Sequence, residues 1–145
     1  MDRLSCQPLL LALALTMAMA PSSMAEESGS PTEGGTATAE IGADGIQRAR
    51  IVMDSYSYSP KHLIVQAGKP VELTLTSVTT ITPHNFVIDE SDAGFRVNGD
   101  IGAGKTGVVR FTPSKAGTFP FYCDKKLLFF KSHREKGMEG RLEVR

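Results

Sequence analysis

Short runs of alternating apolar and polar residues fill most of the chain. Residues 48–53 alternate polar with apolar, and Val71, Leu73 and Leu75 alternate with Glu72, Thr74 and Thr76. A period of two places the apolar set of each run on one face of a half-buried strand. Residues 61–66, centred on Leu63, Ile64 and Val65, read as a further strand, as do 83–88, 108–112, 118–123 and 140–144. Turn chemistry separates them: Tyr56-Ser57-Tyr58-Ser59-Pro60, Ala67-Gly68-Lys69-Pro70 and the threonine-rich 77–82. Residues 90–105, rich in glycine, are expected to run irregularly across the outside of the fold. No segment sustains a helical period, apart from a short turn around 125–131. Seven or eight short strands with regular turn signals predict an all-β protein, an antiparallel Greek-key β-sandwich.

The pattern changes before residue 46. Arg3, the apolar run 9–20 and the small residues Ser23-Met24-Ala25 have the three parts of a secretory signal peptide, with cleavage expected after Ala25. The apolar run is shorter than the roughly 20 residues a membrane-spanning helix needs. Residues 26–45 combine Glu, Ser, Thr, Gly, Ala and Pro with almost no large apolar side chain, and so read as a disordered spacer. The folded domain is expected over 46–145, exported to the periplasm or secreted, with no membrane association in the mature form and as a monomer.

Formal net charge is zero, which provides no field to gather nucleic acid, and nucleic-acid binding is set aside. The charge is unevenly placed, however. Residues 26–45 carry only acidic charges, whereas Lys125, Lys126, Lys131, Arg134, Lys136, Arg141 and Arg145 crowd the C-terminal end.

Export alters the reading of the two cysteines. Cys6 departs with the leader, leaving Cys123 alone in an oxidising compartment, where a thiol invites oxidation unless something occupies it. Cys123 shares strand parity with Phe119 and Phe121, His84 with Phe86 and Ile88, and Met138 with Leu142 and Val144. Each therefore extends an apolar face inward. His133 falls in a loop and would cap such a site from the solvent side. A thiolate, two imidazoles and a thioether make the ligand set of a trigonal copper site with a weak axial Met. Taken singly, Cys123 also reads as an inert buried thiol, His84 as a core imidazole and Met138 as core. Zinc suits the set less well, since structural zinc sites do without thioether. A Cys-His hydrolase would need an accessible activated thiol and an oxyanion site, and neither signature is present, so no enzymatic activity is expected. His62 has no partner in the pattern and reads as a surface residue on an edge.

With these residues in view, the chain resembles the cupredoxins, the small blue-copper proteins such as plastocyanin and azurin. The likeness covers 46–145 and rests on several pieces. They are Tyr58-Ser59-Pro60 to Gly68, Pro83-His84-Asn85-Phe86, Ala116-Gly117-Thr118-Phe119 leading into Phe121-Tyr122-Cys123, and His133 with Gly137-Met138-Glu139-Gly140. The resemblance implies one copper ion, with His84, Cys123 and His133 equatorial and Met138 axial. It also implies that Asn85 ties the two ligand loops together. Family members commonly place two to four residues between the Cys and the second His, whereas here 124–132 intervene.

That insertion reads KKLLFFK over 125–131. Leu127, Leu128, Phe129 and Phe130 are expected to fold back over the metal or, failing that, to form a surface where redox partner proteins dock. The function expected is an exported carrier of single electrons cycling between Cu(I) and Cu(II). The alternative is a copper carrier or chaperone that buffers or delivers the metal, and a third class is a metal-free sandwich that binds another protein through this loop.

Overall fold

The computed structural model describes residues 35–145; the expected leader, and the spacer as far as residue 34, lie outside them. Eleven strands occur among the described residues: β1 (Thr36–Thr38), β2 (Glu40–Ile41), β3 (Gln47–Asp54), β4 (Ser57–Ser59), β5 (His62–Val65), β6 (Val71–Ser77), β7 (His84–Glu90), β8 (Phe95–Ile101), β9 (Thr106–Phe111), β10 (Gly117–Tyr122) and β11 (Glu139–Val144). One sheet has the order β1-β5-β11-β10-β7-β8; the other runs β2-β3-β6-β9, with β4 paired to β3. The all-β sandwich thus forms as the alternation predicts.

Its sheets are mixed, however, because β1 with β5, β5 with β11 and β3 with β6 are parallel pairs. After β4 the chain crosses to the opposite sheet, runs along β5 and returns beside β3 as β6. A strand that comes back by a crossover of this kind arrives in its predecessor's direction.

The core lies between the sheets. Ile51, Met53, Leu73 and Leu75 from one sheet meet Leu63, Phe86, Ile88, Phe121 and Leu142 from the other, all of them buried. Tyr58, also buried, sets its ring edge-on to Phe86 at 6.0 Å and Phe121 at 5.2 Å between centroids. Phe86 and Phe121 are 4.9 Å apart. This three-ring cluster fills the sandwich near the end of β10, from which the metal-ligand candidates project.

Three expectations are corrected. Residues 36–41 are not a disordered spacer: β1 adds to β5 through backbone hydrogen bonds, and Ala39, 6% exposed, joins the core. Small side chains suffice there because an added strand is held mainly by its ladder. Nor are residues 90–105 irregular throughout, since 95–101 form β8. Phe95, Val97 and Ile101 face inward along β8, which pairs with β7 from end to end. Gly99 sits at the inward position between them, where a Cβ would collide with Val109. The glycine that looked like loop chemistry is a packing requirement. Finally, β5 is flanked by β1 and β11, so His62 is not on an edge; its Nε2 lies 2.8 Å from Glu143 Oε2.

Gly140 provides a test of how closely the sandwich closes. A Cβ there would run into the Phe121 ring and the Lys61 carbonyl. Gly140→Ala is expected to lower the unfolding free energy by about 1–3 kcal/mol, read from the urea midpoint of the metal-free protein. An unchanged midpoint would show that β5 and β11 part freely.

Candidate metal centre

Four side chains arrive at one end of the sandwich from separate elements. His84 opens β7, Cys123 follows β10 by one residue, His133 precedes the short 3₁₀ turn Arg134–Lys136, and Met138 precedes β11. His84, Cys123 and Met138 are completely buried, as their strand parity predicts. His133, expected as a cap, is 7% exposed and lies at the rim.

Three donor atoms converge. His84 Nδ1 and His133 Nδ1 are 3.2 Å apart, and Cys123 Sγ lies 3.3 Å from His133 Nδ1 and 4.0 Å from His84 Nδ1. A point equidistant from all three would sit about 2.1 Å from each, which matches the metal–imidazole and approaches the metal–thiolate distances of borderline-soft ions. Met138 joins the group through its backbone: its carbonyl accepts from Cys123 N–H at 3.1 Å, and its N–H donates to the His133 carbonyl at 2.9 Å.

The long ligand loop is closed at its base. His133 N–H donates to the Lys125 carbonyl at 2.9 Å, so the chain leaves the site after Lys125 and re-enters at His133. Residues 126–132 lie outside that closure. Leu127, Leu128, Phe129 and Phe130 are all exposed, which overturns the expectation that they pack over the metal.

Asn85 ties the loops as expected. Its side-chain amide donates to Asp124 Oδ1 at 2.7 Å, and Asp124 N–H donates back to Asn85 Oδ1 at 3.1 Å. The Asn85 backbone N–H reaches Cys123 Sγ at 3.4 Å, while its carbonyl accepts from the buried Tyr58 hydroxyl at 2.6 Å. Two residues were not anticipated. Asp124 needed only to be read as the neighbour of Cys123. Tyr56 gave no sequence signal: its ring meets His133 edge-on at 4.9 Å, with Lys136 Nζ 4.2 Å from the ring centroid and 3.1 Å from its hydroxyl.

Burial sets the protonation states. Desolvation, aided by repulsion from His133, pushes His84 down from 6.5 to about 4. Desolvation, then Lys136, lowers His133 as well. Desolvation raises the Cys123 thiol, and the backbone N–H groups of Asn85 and Lys125 counter only part of that. Near neutral pH both imidazoles are therefore unprotonated and ready to donate a lone pair, while a metal ion would displace the thiol proton. His84 Nε2, buried without a hydrogen-bond partner, leaves that ring to be held by packing. Two neutral nitrogens and one soft sulfur, shielded from water, fit copper.

A pH dependence follows for the metal-free protein. Below 6.5 the unfolded chain protonates His84, which the folded chain leaves neutral down to about 4. The unfolded state then binds more protons, so stability falls as pH drops through that interval and levels off above it. Urea unfolding across the pH range checks this; stability that rises on acidification from 6.5 would contradict the buried neutral imidazole.

Comparison with known proteins agrees with this geometry. The family model for the cupredoxin-like domain matches residues 9–138. No curated protein sequence matches. Among solved structures, the metal-binding domain of the Cu(I)-exporting P-type ATPase CopA of Streptococcus pneumoniae, with Cu(I), is 26% identical with a TM-score of 0.58, over 78% of this chain and 98% of that one. Reduced auracyanin from the photosynthetic bacterium Roseiflexus castenholzii is 20% identical with a TM-score of 0.57, over 68% and 96%. A copper-binding protein solved by NMR in the apo form is 21% identical with a TM-score of 0.53, over 77% and 99%. Matched across most of its length, and carrying a buried His-Cys-His cluster at the end of its sandwich, the chain belongs to the cupredoxin-like domain family.

Proposed function

We propose that the chain is an exported copper protein that carries single electrons between redox partners, in which His84, Cys123 and His133, with the Met138 thioether, would hold one copper ion. The observation that carries this reading is the buried triangle of two imidazole nitrogens and one cysteine sulfur. Copper, when bound, supplies the one-electron change between Cu(I) and Cu(II). The protein's part is to keep the donors still. Asn85 and Lys125 direct backbone N–H groups at the sulfur, the Asn85–Asp124 pair fixes the two loops, and Met138 is bonded to both Cys123 and His133. Little then has to reorganise as the charge at the site changes. His133, at the rim against Tyr56, is where a redox partner would approach. Residues 1–25 would serve as the export leader and be removed. The role involves no chemistry on an organic substrate.

A second reading is a copper carrier that delivers or buffers the metal, favoured by the likeness to a Cu(I)-bound domain of an exporting ATPase. Handing over an ion calls for donors that a recipient can reach. Here three of the four side chains are completely buried, which supports electron transfer instead.

Copper-loaded protein is expected to show a strong visible thiolate-to-copper band and reversible one-electron reduction. Cys123→Ser should abolish the band, and Met138→Leu should move the reduction potential more than the colour. A band that survives Cys123→Ser would refute the ligand assignment. Colourless, Cu(I)-only binding with ready transfer to a second protein would establish the carrier.

A further inference from the structure

The insertion between Cys123 and His133 does not build the metal centre, since the hydrogen bond between His133 and Lys125 closes the loop without it. Leu127, Leu128, Phe129 and Phe130 are respectively 66, 75, 85 and 54% exposed, four consecutive large apolar side chains in water. They ride on a tight turn, with Phe130 N–H donating to the Leu127 carbonyl at 3.0 Å and Leu128 at a φ of 49°. Both feet of the loop are fastened. Lys125 Nζ meets Asp100 Oδ1 at 2.6 Å, and the Ser132 hydroxyl donates to Glu135 Oε2 at 2.8 Å.

The surrounding charge is basic. Over 124–136 there are five Lys and Arg residues against Asp124 and Glu135. Asp124 is turned to Asn85, and Glu135, the carboxylate that feels Lys126 and Lys131, is held by Ser132. Lys126 and Lys131 thus flank the apolar turn on either side, both exposed. The connection 78–83, which leads into His84, adds Val78 and Ile81, 53 and 87% exposed.

We infer that the loop 126–131 docks on the surface of an anionic lipid bilayer, with Leu127, Leu128, Phe129 and Phe130 entering the acyl boundary while Lys126 and Lys131 remain among the lipid phosphates. Phe129 and Phe130 set their rings 5.1 Å apart on this turn beside the exposed Leu127 and Leu128, a narrow apolar projection that a fluid hydrocarbon layer can surround. Aromatic and aliphatic residues between lysines are the composition that settles at such an interface. This departs from the expectation of no membrane association in the mature form; no helix among the described residues is long and apolar enough to cross a membrane. A peripheral contact needs none. The docked loop would turn the rim at His133 toward the bilayer. The inference is independent of the copper reading, because neither the contact nor its test requires metal.

The chain contains no Trp, so Phe129→Trp in the full chain is a reporter for this loop alone. Phe129 is largely exposed, its ring 5.1 Å from that of Phe130, and it takes no part in the core. With vesicles of phosphatidylcholine and about one-third phosphatidylglycerol, Trp emission should shift to the blue and be quenched by brominated acyl chains. Adding Lys126→Gln and Lys131→Gln should weaken that response by about 30-fold in lipid concentration, from the contribution of two basic residues near a charged surface. Emission that stays at its solvent position on these vesicles overturns the proposal. So does a shift of equal strength on pure phosphatidylcholine that ignores the lysine substitutions. If Phe129→Ser with Phe130→Ser slows electron exchange with a soluble redox protein while Phe129→Trp does not respond to lipid, the loop docks protein and the proposal fails.

Discussion

The site depends on the reciprocal pair of hydrogen bonds between Asn85 and Asp124. One strand ends just before Cys123, another begins at His84, and they belong to chain segments far apart in sequence. Each side of the pair donates once and accepts once, so neither loop can shift without leaving a polar group unsatisfied. From the same residue, the backbone N–H of Asn85 points at the Cys123 sulfur and its carbonyl receives the Tyr58 hydroxyl. The tie is thereby anchored in the aromatic cluster of the core, and the donors' positions follow from the packing of Phe86 and Phe121 rather than from the loops alone.

Burial imposes a cost that this arrangement absorbs. Two imidazoles and a thiol in a dry pocket are held uncharged, with the histidines shifted down and the thiol up. Neutral imidazoles are what a soft cation requires, so the desolvation that keeps both histidines uncharged prepares their nitrogens for metal, while the thiol must give up its proton as the ion binds. Only His133 retains some exposure, and it is braced by Tyr56 with Lys136 behind. Solvent meets the centre along one ring edge.

Much of this was legible because strand parity is a local property. Phe121 and Cys123, Phe86 and His84, Leu142 and Met138 declare their common faces within a few residues of each other. The parallel pairing of β3 with β6 was not legible, since it is decided by a crossover through the other sheet. β8 was hidden by Gly99, whose lack of a side chain is demanded by Val109 across the core. β1 was hidden because Ala37, and Ala39 just beyond it, are too small to register as core, although its backbone pairs along β5. The exposure of Leu127 to Phe130 ran against their apolarity, which describes a residue's preference and not its surroundings. The hydrogen bond that closes the ligand loop joins main-chain atoms and leaves no side-chain signature at all.

That closure separates two inheritances within one short stretch of chain. Because Lys125 and His133 meet across their backbones, residues 126–132 can change in length and character while the geometry of the donors stays as it is. The centre and the exposed turn beside it can thus evolve at different rates. A graft between those two residues would replace the exposed turn and leave the donors' backbone frame as it is.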